Sequence, residues 1–190
     1  MEKINLSRLK NCMARAQRGE ELTIGFLGGS ITQGSLATEH ENTYAYRVFT
    51  WWKETFPNGK FHYVNGGIGG TTSHYGVSRA VTDVLMYQPD FVGIDFSVND
   101  DPTDFFKEIY EGVLRKVLTW TSEPAVVLLN NVYYDTGINA QEQHVIKFLE
   151  KVKEEAKEGI KEYTKTDFPV PLTGNAYEHA QRQRRKHHSI

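Results

Sequence analysis

The chain has 190 residues, about the length of one ordinary domain, and its 39% hydrophobic and 24% charged fractions argue for a soluble globular protein, not a disordered one. A formal net charge of −2 argues against a general nucleic-acid or membrane-surface protein. The single cysteine, Cys12, closes no internal disulfide, so nothing here depends on an oxidising compartment.

Residues 1–19 interleave charged and apolar positions instead of forming an apolar leader, and no apolar run approaches the ~20 residues that span a bilayer. A cytoplasmic protein is expected. Leu6, Leu9, Met13 and Ala16 lie at helical spacing, with Cys12 as a small packed residue and Gly19 as the stop. Leu22 to Leu27 is the first strand candidate, ending in Gly28-Gly29-Ser30. Thr43 is placed to cap a helix carrying Tyr44, Val48, Trp51, Trp52 and Thr55, which Pro57-Asn58-Gly59 ends. Phe61 to Val64 is a second strand, running into Asn65-Gly66-Gly67-Ile68-Gly69-Gly70.

Val77, Ala80, Val81, Val84 and Leu85 mark the next helix, closed by Gln88-Pro89. Phe91 to Phe96 is a third strand, followed by Ser97-Val98-Asn99-Asp100. Pro102 suits the first turn of a helix whose buried stripe is Phe106, Ile109, Tyr110, Val113 and Val117. Ala125 to Leu129 is a fourth strand with Asn130-Asn131 at its end. A long helix then carries Val145, Leu149, Val152, Ala156, Ile160 and Tyr163. Residues 1–163 are expected to form one domain. Residues 164–174, with two prolines, read as a linker, and Asn175 to His188 as a short basic helix with a solvated end.

Apolar strands alternating with amphipathic helices predict an α/β fold with a mostly parallel sheet covered on both faces. Ligands of such sheets bind beyond the carboxyl ends of the strands. Three of the four strand ends here carry unusual chemistry. Ser30 follows two glycines at a strand-to-helix turn, where its hydroxyl is unobstructed and nearby N–H groups can converge on one atom. Gly69-Gly70 offers backbone N–H groups for close approach, and Asn99 a neutral amide donor. A serine, a glycine N–H and an asparagine amide converging on one carbonyl suit acyl transfer, where one oxyanion donor is worth ~3 kcal/mol of barrier. Each feature alone fits an ordinary turn.

Other glycine-rich sites fail in detail. No lysine follows Gly34, Thr72 stands where a dinucleotide fingerprint needs its third glycine, and Thr32 stands where an α/β-hydrolase elbow needs glycine. No histidine pair has the His-Glu-x-x-His spacing of a zinc site, so no metal is expected, and acyl transfer through a serine calls for no cofactor.

Gly28-Gly29-Ser30-Ile31-Thr32, Asn65 to Thr72, and Ser97-Val98-Asn99-Asp100 resemble, in that order, the first three blocks of the SGNH (GDSL-type) hydrolases, most of all the carbohydrate-esterase-like members. The resemblance implies a flavodoxin-like three-layer α/β/α sandwich and hydrolysis of short acyl esters such as the O-acetyl groups of saccharides. It assigns Ser30 as nucleophile, with the Ser30 N–H, the Gly70 N–H and the Asn99 amide as oxyanion donors, and Asp100 as an organiser of its turn. Gly29 stands where the first block has aspartate, and Ser97 where the third has glycine.

The family's late Asp-x-x-His block, which supplies the base, is missing: no aspartate in the chain has histidine three residues later. His144 leads directly into what resembles the family's last helix. This suggests an internally shortened member lacking the fifth strand, with residues 171–182 resembling the start of a following domain. His74 lies nearest the second block. His40 and His62 read as surface or packing residues, and His144, His179, His187 and His188 fall late in the chain. The alternatives are an active esterase, an inactive relative that binds acylated saccharides or a protein partner, and a chain that folds poorly without its edge strand.

Overall fold

A computed structural model describes residues 6–131. The predicted long helix from His144, the linker and the basic tail lie outside the described residues. Helix α1 (Ser7–Gln17) leads through Gly19, at φ +82°, into β1 (Glu21–Gly28). Then follow α2 (Ser30–Gln33), α3 (Tyr44–Thr55), β2 (Lys60–Gly67), α4 (Ser73–Asp83), β3 (Phe91–Asp95), α5 (Asp104–Leu118) and β4 (Ala125–Leu128). The four strands form one sheet in the order β2-β1-β3-β4, every pair parallel. The predicted parallel α/β architecture is therefore present, with the first two strand ends adjacent and the third beside them. Among the described residues, no helix is long and apolar enough to cross a membrane.

Side chains alternate across the sheet because the strand period is two. Leu22, Ile24 and Phe26 face α1 and α3, packing with Cys12, Ala16, Ala45, Phe49, Trp52 and Phe91 in one buried cluster. Burial pushes the Cys12 thiol up to about 12, as befits a packed and unreactive sulfur. Phe26 anchors this layer, with rings of Tyr44, Tyr63 and Phe91 at centroid distances of 6.0, 5.8 and 6.2 Å. Truncating such a ring to alanine costs about 3–5 kcal/mol. The opposite face belongs to α4 and α5. There Gly25 and Gly66 let Val84 approach the sheet, since an added Cβ would lie 2.8 and 2.6 Å from its methyl carbons.

Three predicted details change. The buried stripe of α3 is Ala45, Phe49 and Trp52, while Trp51 is 44% exposed and Thr55 is exposed. Packing beneath Trp52 (its ring 5.6 Å from Phe91) selects one of two adjacent tryptophans. Pro102 lies outside α5, because Thr103 takes the cap and accepts from the Phe106 N–H at 3.5 Å. Helix α4 ends at Asp83, so Val84 and Leu85 are buried from the turn beyond it.

Candidate active site

Ser30 sits where β1 breaks into α2. The Gly29 N–H donates to the Asp95 carbonyl at 3.1 Å, which holds the end of β1 against the end of β3. Ser30 is the first residue of α2 and half-buried, so its own N–H precedes the first helical hydrogen bond. Thr32 points inward, fully buried, with its hydroxyl 2.8 Å from the Tyr44 hydroxyl. Gly34, at φ +99°, ends this single turn.

Strand β2 runs three residues further than the sequence pattern predicts, to Gly67. Asn65 explains the extension: its amide donates to the Thr32 carbonyl at 2.9 Å, and its side-chain oxygen accepts from the Gly67 N–H at 2.8 Å. Gly67 must be glycine because a Cβ there would collide with the backbone of α2 at Gln33. The loop then folds back. Ile68 N–H donates to the Gly28 carbonyl at 3.1 Å, and Gly69 N–H to Gln33 Oε1 at 2.7 Å. The Cβ direction of Gly69 ends 3.8 Å from Ser30 Cβ, so this loop flanks the serine. Gly70 has φ +69° with open space around it, so its left-handed backbone, not crowding, calls for glycine. Among the described residues, the Gly70 N–H has no acceptor.

After β3, Asn99 reaches across to the same place. Its Nδ2 donates to the Thr71 carbonyl at 2.7 Å, and a Cβ on Gly29 would lie 2.5 Å from that nitrogen. The glycine standing in place of the first block's aspartate thus makes room for the Asn99 amide. One N–H of Nδ2 serves Thr71 and leaves the second for a ligand. Asp100 is buried, and its Oδ1 accepts from the Ser73 N–H at 2.8 Å, capping α4. Ser97 receives the Asn131 N–H at 2.9 Å and joins the ends of β3 and β4. Gly29, Ser30, Ile31, Asp95, Phe96, Val98 and Asn99 line a shallow depression.

Two residues here escaped the sequence reasoning. Asp95 is 3% exposed beneath the depression and accepts from Asn131 Nδ2 at 3.1 Å. Burial pushes its carboxyl up to about 6, opposed by hydrogen bonds from Asn131 and Thr32. Arg79, 6% exposed on α4, donates to the carbonyls of Gly66 and Gly28 and pairs with Asp83 at 2.8 Å. The sequence signal for Arg79 is faint. It lies with Gly76, Ala80 and Asp83 on one helical face, a charged pair inside a small-residue stripe.

The described histidines sit elsewhere. His62 pairs with Glu21 at an exposed position, and His40 packs its ring at a tilt against Tyr46, with centroids 4.6 Å apart. His74 is in the first turn of α4 and meets Phe105 edge-on, with ring centroids 5.5 Å apart. Among the described residues, no histidine hydrogen-bonds Ser30 and no cluster of three metal-binding side chains occurs. His144, His179, His187 and His188 lie outside the described residues.

The model of the GDSL-like Lipase/Acylhydrolase family matches residues 26–188. Two structures of a two-domain esterase active on acetylated mannans align at 59% and 58% identity, with TM-scores of 0.70 and 0.71. One of them was co-crystallised with mannopentaose. They cover 73% and 74% of this chain, which spans only 38% of theirs. An acetylxylan esterase from Geobacillus stearothermophilus shares the fold at 22% identity and TM-score 0.52, covering 72% of this chain and 73% of its own. Among curated proteins, none matches the chain.

Proposed function

The chain belongs to the GDSL-like lipase/acylhydrolase family, and we propose that it hydrolyses short acyl esters, with the O-acetyl groups of a mannan-like polysaccharide as its substrate class. The observation that carries this reading is the meeting of three strand ends around Ser30. Gly69 flanks the serine, and Asn99 lies against Gly29. The similarity to esterases acting on acetylated mannans supports the saccharide and the acetyl group.

In the proposed reaction, Ser30 Oγ attacks the ester carbonyl carbon and its proton passes to a base. The carbonyl oxygen becomes an oxyanion held by the Ser30 N–H, the Gly70 N–H and the free Asn99 N–H. Collapse breaks the bond to the sugar oxygen, which leaves protonated, and the acyl group stays on Ser30. Water then attacks the acyl-serine, releasing acetate and restoring the hydroxyl. The step needs no redox partner.

One observation favours a second reading. No Asp-x-x-His occurs anywhere in the 190 residues, so a relative that keeps the ester-binding frame without turnover is the alternative. Acetate release from acetylated manno-oligosaccharides separates the two. The esterase reading expects multiple turnovers that Ser30→Ala abolishes; release below one equivalent per chain, with binding retained, supports the inactive relative.

A further inference from the structure

The structure assigns Arg79 as a positioning residue whose guanidinium bridges two strand ends and thereby sets the three oxyanion donors; the assignment rests on the ester-hydrolase reading of the same site. Arg79 is buried on α4, and its two terminal nitrogens serve different strands. Nη2 donates to the Gly28 carbonyl at 2.8 Å, two residues before Ser30. The same carbonyl accepts from the Ile68 N–H, so the guanidinium and the second loop share one anchor. Nη1 donates to the Gly66 carbonyl on β2 and to Asp83, its i+4 counter-ion.

A fourth contact closes the circuit. Nη2 reaches Thr71 Oγ1 at 3.4 Å, and that hydroxyl donates to the Ile68 carbonyl at 2.7 Å. Thr71 follows Gly70 directly and holds Asn99 through its own carbonyl. One planar fork thus touches the peptide leading to Ser30, the loop bearing Gly70 and the residue that orients Asn99. A lysine ammonium at this depth has one nitrogen and cannot span both strand carbonyls with the same fork. Arg79 Nε is buried without a partner among the described residues, so the ring of contacts at the terminal nitrogens sets the side chain's place. The Tyr75 ring lies over the guanidinium, its centroid 5.6 Å from Arg79 Cζ.

The test compares Arg79→Lys with wild type using p-nitrophenyl acetate and amide NMR of the free protein. In the active enzyme, kcat is expected to fall about thirtyfold with KM within about threefold, because the donors are used most in the transition state. The NMR signals of the Ser30 and Gly70 N–H groups and the Asn99 side-chain amide are expected to move, while those of α1 stay in place. Thr71→Val supplies a second variant should the lysine fail to fold: the same three signals are expected to move. Unmoved signals in a folded variant overturn the assignment, and so does unchanged kcat. An inert wild type refutes the hydrolase reading and leaves the NMR result to decide the positioning role by itself.

Discussion

On one side of Ser30, the ends of β1 and β2 and the loop after β3 are tied together by the Gly29–Asp95, Ile68–Gly28, Gly69–Gln33 and Asn99–Thr71 hydrogen bonds. On the other side, Ser30 Oγ meets no hydrogen-bond partner among the described residues. The contrast has a physical origin. The proposed oxyanion donors sit within a few residues of strand ends, so the register of a parallel sheet delivers them together. A general base must come within hydrogen-bond reach on a segment of its own, and no such segment is implied by the sheet.

The largest expected effect comes from removing the atom common to both sides. Ser30→Ala is expected to lower ester turnover by about ten-thousandfold, with an unchanged melting temperature, since Ser30 is half-buried and its hydroxyl holds no structural bond. A variant that kept a tenth of the rate would break the comparison at its centre. Next comes Asn99→Ala, which empties one donor position: a loss of about a hundredfold to a thousandfold in kcat is expected, or roughly 3 kcal/mol. Steady-state kinetics on an activated acetate ester reads it.

Gly70→Ala probes backbone conformation instead of chemistry. Open space surrounds the position, yet φ is +69°, so the substitution imposes strain of about 1–2 kcal/mol and not a clash. About a tenfold fall in kcat and a melting temperature lower by a few degrees are expected. Asp95 comes last because its expected effect is read on stability and not on turnover. Its carboxyl is raised from 3.8 to about 6, so the folded state binds this proton more tightly than the unfolded chain. Its contribution is therefore full below 3.8 and is lost as pH rises through about 6. Thermal melts across that window are expected to show a decline that Asp95→Asn flattens; an identical slope in the variant contradicts it.

The same contrast explains what was legible in the sequence. Ser30, Gly70 and Asn99 stand in contiguous blocks at strand ends, so chain order and sheet topology were enough to bring them together. The helices were visible by period, but α3 carries aromatic residues on several faces, and only packing against Phe91 decides for Trp52 over Trp51. Arg79 was hidden because its role lies in reaching backbone carbonyls of β1 and β2, which no side-chain pattern announces. Asp95 was hidden in an apolar strand, Phe91 to Phe96, where it reads as one polar position at a strand end. Gly29 was legible as a departure from the family's aspartate; the Asn99 amide that takes the space was not.

Whether Ser30 is an activated nucleophile decides between a working esterase and an inert frame. Incubating the purified chain with a fluorophosphonate and mapping the adduct by mass spectrometry asks this directly. An activated site predicts rapid, stoichiometric phosphonylation of Ser30 that disappears in Ser30→Ala and weakens in Asn99→Ala. An unlabelled wild-type chain, or an adduct on another residue that persists in Ser30→Ala, would contradict it.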